Sequence, residues 1–380
     1  MRIVSSIVAA AIMTLMSPPG ATAGEPVAED WPGEAGILSR HVQLTFSDRF
    51  VKAGESYFSP DDRHIVFQGI EKPAEGEAAD EFYAMYVGDV VHDRQGRITG
   101  MNNIRRLSPK GSANTCGWFH PTKPDTVVFG CTIGVPGEPN VAGWQRGVGR
   151  YKWQFPREMT IVECDINEAD GTADTLDILL ADDGAYLAEC SLTSDGRFLL
   201  YCSYVEAEAP WGGNLFVRDL ETGVTHTIVH MPGYDGGPFF SPGGDRICYR
   251  SDRNRDNLLQ IYVGELSYDE NGNLVGLAGE RQITNNEHVN WAPFWDKTGR
   301  YLLYTTSEQG HRNYEVYIID TSAPAEGKTY EDSKRRITDA AGFDGLPVFD
   351  STGRVMMWTS QRADGSSQLW VADFKNPLEK

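Results

Sequence analysis

Beyond its N-terminus the chain has no apolar run approaching the roughly 20 residues that a membrane-spanning helix needs. Positive charge is scarce too: 34 Lys and Arg stand against 54 Asp and Glu, a formal net charge of −20. Such a chain repels nucleic acid and anionic membrane surfaces, so neither is expected as a partner. The short signatures of chemistry are also missing. There is no G-x-S-x-G nucleophile elbow, no H-E-x-x-H and no phosphate loop. No C-x-x-C or Cys/His spacing suggests zinc.

The first 23 residues read differently from the rest. Arg2 precedes an apolar stretch from Ile3 to Met16, and Ala21-Thr22-Ala23 ends the segment in an A-x-A pattern. This describes a secretory signal peptide cut after Ala23, with the mature protein exported to a periplasm or outside the cell. Residues 24–39, rich in Pro, Gly, Ala and acids, are expected to form a flexible leader.

The remainder repeats itself. Gly233-Tyr234-Asp235-Gly236-Gly237-Pro238-Phe239-Phe240 leads through a Ser241-Pro242-Gly243-Gly244 turn into Arg246-Ile247-Cys248-Tyr249. The same sentence starts near Glu55, Cys116, Glu189, Trp291 and Leu346, giving six copies. They recur at intervals of roughly 50–70 residues, a period of solenoids, propellers and arrays. Each copy is a pair of extended segments around a tight turn, which selects a β-propeller. A third extended segment follows in every repeat, and most repeats go on to a fourth, such as Arg105-Arg106-Leu107-Ser108, Arg281-Gln282-Ile283-Thr284 and Arg335-Arg336-Ile337-Thr338. The last repeat has none. Arg40-His41-Val42-Gln43-Leu44-Thr45 has the same form and is expected to supply it. This gives an all-β fold, a six-bladed propeller of four-stranded blades over residues 40–375, with a tail at 376–380. Ring closure through the N-terminal strand 40–45 leaves no open sheet edge.

These repeats resemble the TolB-type β-propeller, whose repeat runs F-S-P-D-G-x-x-I-A-F-x-S, then I-Y-V-M-D, then R-R-L-T. Ser59-Pro60-Asp61-Asp62-Arg63 and Ser241-Pro242-Gly243-Gly244-Asp245 are close copies. Asp296-Lys297-Thr298-Gly299-Arg300 and Asp350-Ser351-Thr352-Gly353-Arg354 are degenerate ones. The resemblance implies the fold and an exported binding role. TolB itself carries an α/β domain before its propeller. The stretch between Ala23 and Arg40 is too short for one, so a stand-alone exported propeller is expected. Oligogalacturonate lyases also have propeller repeats, with a His-rich metal centre that this chain does not match residue by residue.

In a propeller the first strand of each blade lies nearest the axis. The polar residues at or just before that strand are Glu55, Asn114, Thr115, Glu189, Asp235, Asn290 and Asp344. They are expected to ring one mouth of the channel, as a site for a divalent cation such as calcium, for an organic ligand, or as groups that stitch neighbouring blades. The loop at 132–158 opens on the same face and is far longer than loops in compact domains usually are. It interleaves Arg146, Arg150, Lys152 and Arg157 with Trp144, Tyr151, Trp153 and Phe155. Arginine with aromatics suits a protein or peptide partner, or an acidic sugar; the competing reading is a lid over the channel. Six cysteines in an exported chain invite pairing. Cys116 with Cys131 and Cys190 with Cys202 flank two hairpins and are candidate disulfides, the alternative being buried free thiols.

The expected function is an exported binding or scaffold module, with no catalytic residue assigned. Its ligand-binding residues would be Glu55, Asn114, Thr115, Glu189, Asp235, Asn290 and Asp344 at the mouth, with Trp144, Arg150, Tyr151 and Trp153 on the long loop. The alternative is a metal-dependent lyase or hydrolase acting on an acidic oligosaccharide. Convergence of His230, His288 or His311 with the carboxylates would favour that alternative.

Overall fold

The computed structural model describes residues 31–138, 156–205 and 212–379, together with the backbone of 143–145 and 150–152. Six four-stranded antiparallel sheets follow one another along the chain. Strand β1 (Leu38–Gln43) comes first. Blade 1 is β2 (Phe50–Phe58), β3 (His64–Glu71), β4 (Ala84–His92) and β5 (Ile98–Arg106). Blade 2 is β6 (Asn114–Phe119), β7 (Thr126–Cys131), β10 (Thr160–Asp165) and β11 (Asp177–Leu180). A two-stranded hairpin, β8 (Gly143–Gln145) and β9 (Arg150–Lys152), is inserted between its second and third strands. Blade 3 is β12 (Ala185–Leu192) to β15 (Thr225–Val229), and blade 4 is β16 (Asp235–Phe240) to β19 (Leu274–Gln282). Blade 5 is β20 (Asn290–Trp295) to β23 (Arg335–Arg336). Blade 6 is β24 (Asp344–Phe349), β25 (Val355–Ser360), β26 (Gln368–Phe374) and then β1. Each first strand contacts the first strands of both neighbours, and β2 meets β24, so the ring closes.

The repeated turn has a local cause. In five blades the polar residue just past the first strand turns its side chain onto the backbone N–H five residues on. Ser59 Oγ accepts from His64 N at 2.9 Å, Thr193 Oγ1 from Phe198 N at 3.0 Å and Ser241 Oγ from Arg246 N at 3.1 Å. Asp296 and Asp350 do the same with a carboxylate oxygen, to Tyr301 N at 2.8 Å and Val355 N at 2.9 Å. Ser, Thr and Asp are the residues able to do this. Gly196, Gly244, Gly299 and Gly353 complete four of these turns at φ between +67° and +77°, a region that costs glycine nothing.

Closure is built from the same parts as the other blades. Ser108, Thr284 and Thr338, just past three outer strands, accept the third strand's N–H from Met85, Ile261 and Val316 at 2.8–3.0 Å. Thr45 accepts from Leu369 N at 2.9 Å in blade 6. The residue two before each hydroxyl, Arg106, Gln282, Arg336 or Gln43, donates back to its carbonyl at 2.7–2.9 Å. Thus β1 fills the fourth-strand position with an equivalent hydrogen-bond set, drawn from the opposite end of the chain.

Part of the expected leader, from Trp31 on, lies within the described residues. Trp31 to Ile37 pack against blade 6, and β1 begins at Leu38 rather than Arg40. Glu34, 1 % exposed, accepts from Arg362 at 2.9 and 3.2 Å and meets His41 Nε2 at 2.6 Å. The Arg362 guanidinium lies 4.2 Å from the Trp31 ring and 4.8 Å from that of Trp358. An acid-rich segment is held here because a buried arginine needs its carboxylate.

Candidate functional site

Every first strand carries a β-bulge in the middle. Pairing with the second strand is interrupted after Gly54, Thr115, Ala188, Gly236, Trp291 and Gly345. The next residue is left-handed in all six blades: Glu55 (φ 42°), Cys116 (53°), Glu189 (56°), Gly237 (56°), Ala292 (50°) and Leu346 (56°). In blades 4 to 6 a proline follows, which suits a bulge position where no ladder N–H is used. The bulge aims these six residues at the axis. There they surround a chamber of about 20 Å³, about the room one water molecule takes.

Three of the six bring polar chemistry. Glu55 accepts from Cys116 Sγ at 2.9 Å and from Gln68 Nε2 at 2.7 Å. Glu189 accepts from the Tyr234 hydroxyl at 2.6 Å, from Tyr186 at 3.3 Å and from the Gly237 N–H. Arg250 reaches the axis from the second strand of blade 4. It donates to Glu189 at 3.2 Å and to the Tyr234 hydroxyl oxygen at 2.7 Å. Its passage requires glycine: a Cβ on Gly237 would lie 2.3 Å from Arg250 Nη1, and one on Gly236 would lie 2.2 Å from the Tyr234 hydroxyl. Burial pushes the Glu55 carboxyl up, against the thiol hydrogen bond and the positive charge of Arg250. Burial, with Glu55 and Glu189 beside it, likewise pushes the Cys116 thiol up, so it stays a hydrogen-bond donor and is not a thiolate nucleophile.

Below the chamber the axis is plugged by rings. Tyr57, Trp118, Phe239 and Phe294 lie with centroids 5.3–6.3 Å apart in tilted and edge-on contacts. On the far side of this plug, the mouth formed by the turns between first and second strands opens into a bowl of about 460 Å³. Trp118, Phe239 and Phe294 form its floor, with Phe58, Phe240 and Phe349 among its walls.

The expected ring of seven polar residues is therefore divided. Glu55 and Glu189 face the axis, and Thr115 precedes a bulge with its hydroxyl 3.2 Å from Cys116 Sγ. Asn114, Asp235, Asn290 and Asp344 open their strands two residues before the bulge and are turned into the joints beside it. Asn114 donates to the Tyr83 and Ser112 carbonyls at 2.9 and 3.0 Å. Asn290 donates to Gln260 of the preceding blade at 3.1 Å and to Asn286 at 2.9 Å. Asp344 accepts from Trp358 Nε1 at 2.9 Å and from Arg362 at 3.2 Å. Asp235 accepts from Met231 N at 3.3 Å. Burial pushes its carboxyl up to about 6. Aligning by polarity merged two positions that point in different directions, because a bulge shifts the phase of the strand.

Of the two readings of the cysteines, the structure shows free thiols and not the candidate cross-strand disulfides, for the same reason. The bulges slip the register, so Cys131 pairs with Asn114 and Cys202 with Ala188. Cys116 instead serves Glu55, and Cys202 Sγ donates to the Asp235 carbonyl at 3.3 Å. Among the described residues no three His, Cys, Asp or Glu side chains converge as a metal site. His311 meets the Tyr314 hydroxyl at 2.9 Å, and neither it, His230 nor His288 lines the chamber. In the long loop, Trp144 pairs with Tyr151 across the β8–β9 hairpin. The side chains of Trp144, Arg150 and Tyr151, and all of Trp153, lie outside the described residues.

Arg250 was not singled out by the sequence, since it lies on a second strand. The signal was Gly236-Gly237-Pro238, a double glycine that makes room at the axis. The bowl was missed because its aromatics look like ordinary core.

The fold and its repeats define a six-bladed β-propeller with TolB-like repeats. No protein-family model and no curated protein matches the chain. Among solved structures it is similar to a luciferin-regenerating enzyme (10% identity, 88% of this chain and 95% of that one, TM-score 0.53). It is also similar to TolB from Acinetobacter baumannii (14%, 84% and 63%, 0.48) and to oligogalacturonate lyase from Vibrio parahaemolyticus (12%, 91% and 96%, 0.49). At these identities the likeness is one of fold. Among the described residues no helix is long and apolar enough to cross a membrane.

Proposed function

We propose that the protein works after export as a binding or scaffold module for a protein or peptide. The partner would sit on the face that carries the 132–158 loop. The observation that carries this reading is the closed axis at that end. Glu55 and Glu189 are engaged by Cys116, Gln68, Tyr234 and Arg250 around a space of about 20 Å³. A space of that size is too small for an organic ligand, which favours the loops as the recognition elements of this face. The longest of them contributes a hairpin with Trp144 and Tyr151 paired across it and Arg150 beside them. Arginine and large aromatics are the residue types that dominate protein interfaces.

The test is photo-crosslinking in the exporting cell. Benzoylphenylalanine placed at position 144 or 151 is expected to trap a discrete protein, and the same probe at Asp195, an exposed turn residue at the opposite mouth, is not. Equal adducts from all three positions, or none from 144 and 151, would reject the reading.

A further inference from the structure

The opposite mouth plays no part in that reading, yet it is the open one. We propose that its bowl is a binding site for a small aromatic carboxylate, with the ring over the Trp118–Phe239–Phe294 floor and the carboxylate at Lys297. Three observations carry this. The first is that all six blades send residues to the bowl, and large rings that elsewhere pack in the core here face open space. The second is size and shape. A concave volume of about 460 Å³ with a closed aromatic floor lies within the range of roughly 300–1,000 Å³ typical of small-molecule sites. The floor rings are mutually tilted, at 45° for Trp118–Phe239 and 67° for Phe239–Phe294, so a flat ligand meets both faces and edges, the arrangement aromatic pairs prefer.

The third is charge. Lys297 is the one cation among the lining residues, and Asp350 the one acid. Asp350 is committed to its own turn: it accepts from Arg354 N and Val355 N, each at 2.9 Å, and from Thr352 Oγ1 at 2.6 Å. Lys297 forms no ion pair with any described residue. Its stem crosses Gly353, where a Cβ would lie 3.3 Å from Lys297 Cδ. This leaves an uncommitted ammonium at the edge of an aromatic pocket on a strongly acidic protein. A neutral aromatic would use the floor alone; an aromatic carboxylate uses both.

The experiment is calorimetric titration of the mature protein with 3-phenylpropanoate, 3-phenylpropanamide and propanoate, with tryptophan fluorescence followed in parallel. The carboxylate is expected to bind saturably at one site per chain and to perturb the emission of Trp118. The amide should bind about threefold to fivefold more weakly, the effect of losing one exposed ion pair, and propanoate should not bind measurably. Lys297→Gln should bring the carboxylate down to the amide and leave the amide unchanged. Ser194→Trp, which fills the bowl from its exposed rim, should abolish binding of both without lowering the melting temperature. No saturable binding of phenylpropanoate, or binding indifferent to Ser194→Trp in a folded protein, would overturn the site. A carboxylate preference that survives Lys297→Gln would overturn the assignment of its anion contact. Crosslinking at positions 144 and 151 is independent of all these outcomes.

Discussion

Two residues in the organising stretch of blade 4 show how narrowly the axis is specified. Gly237 sits at φ 56° with its missing Cβ in the path of Arg250. Gly237→Ala should therefore displace the guanidinium from Glu189 and leave a buried charge unpaired. A loss of about 3 kcal/mol is expected in urea unfolding; a loss below about 1 kcal/mol would mean that the arginine has another home. Asp235, fully buried, has one carboxylate oxygen with no hydrogen bond, and its nearest cation, Arg253, is 3.7 Å away. Because burial raises its pKa to about 6, the folded chain holds this proton more tightly than the unfolded one. Its ionisation thus removes stability as pH rises from the ordinary carboxylate range to about 6. Asp235→Asn is expected to raise stability at pH 7.5 by about 1–3 kcal/mol and to have little effect at pH 4.5. A variant less stable at both values would contradict this. The sequence marked Asp235, Asn290 and Asp344 as polar groups near a mouth. It could not say which way they face, since one extra residue in a strand reverses inside and outside. Glu55 and Glu189 were found by the same rule and do reach the axis, yet Arg250, which neutralises them, comes from a strand that showed no sign of being axial.

Among the elements, β1 is the one whose role was legible in full. Arg40 to Thr45 repeats the form of the other outer strands, and the structure repeats their hydrogen bonds, down to Thr45 beneath Leu369 N. Thr45→Val and Thr284→Val should accordingly cost the same, each leaving one buried N–H unsatisfied, about 1–3 kcal/mol. A much smaller cost at Thr45, measured by denaturant melts of both variants, would show that the closing strand is held loosely. What was not legible is the segment just before it. Trp31 and Glu34 are held largely by Arg362 and other groups of blades 5 and 6 more than 300 residues away, and composition alone reads such a stretch as a leader. Glu34 lies below the ordinary carboxylate range because His41 and Arg362 favour its charge over the cost of burial. The contribution of this clasp is therefore complete at neutral pH and fades as pH falls through the folded value of Glu34.

At the scale of the whole molecule, the propeller has two unlike ends. One is closed at the axis by a buried charge cluster and carries the long loop; the other is an aromatic bowl. The rigid ring is made of short local repeats, which is why six copies in the sequence were enough to read it. The ends are made of one residue from each of six distant strands, and no local pattern announces them. If the 132–158 loop is a binding arm on a self-sufficient ring, the ring does not need it. The direct measurement is thermal melting of a chain in which residues 139–155 are replaced by a short Gly-Ser linker, alongside crosslinking from a probe kept on the same face. The melting temperature is expected to stay within a degree or two of the parent while the crosslinked partner is lost. A fall of many degrees would show that the segment is a lid packed into the structure, and would contradict its assignment as the arm that holds the partner.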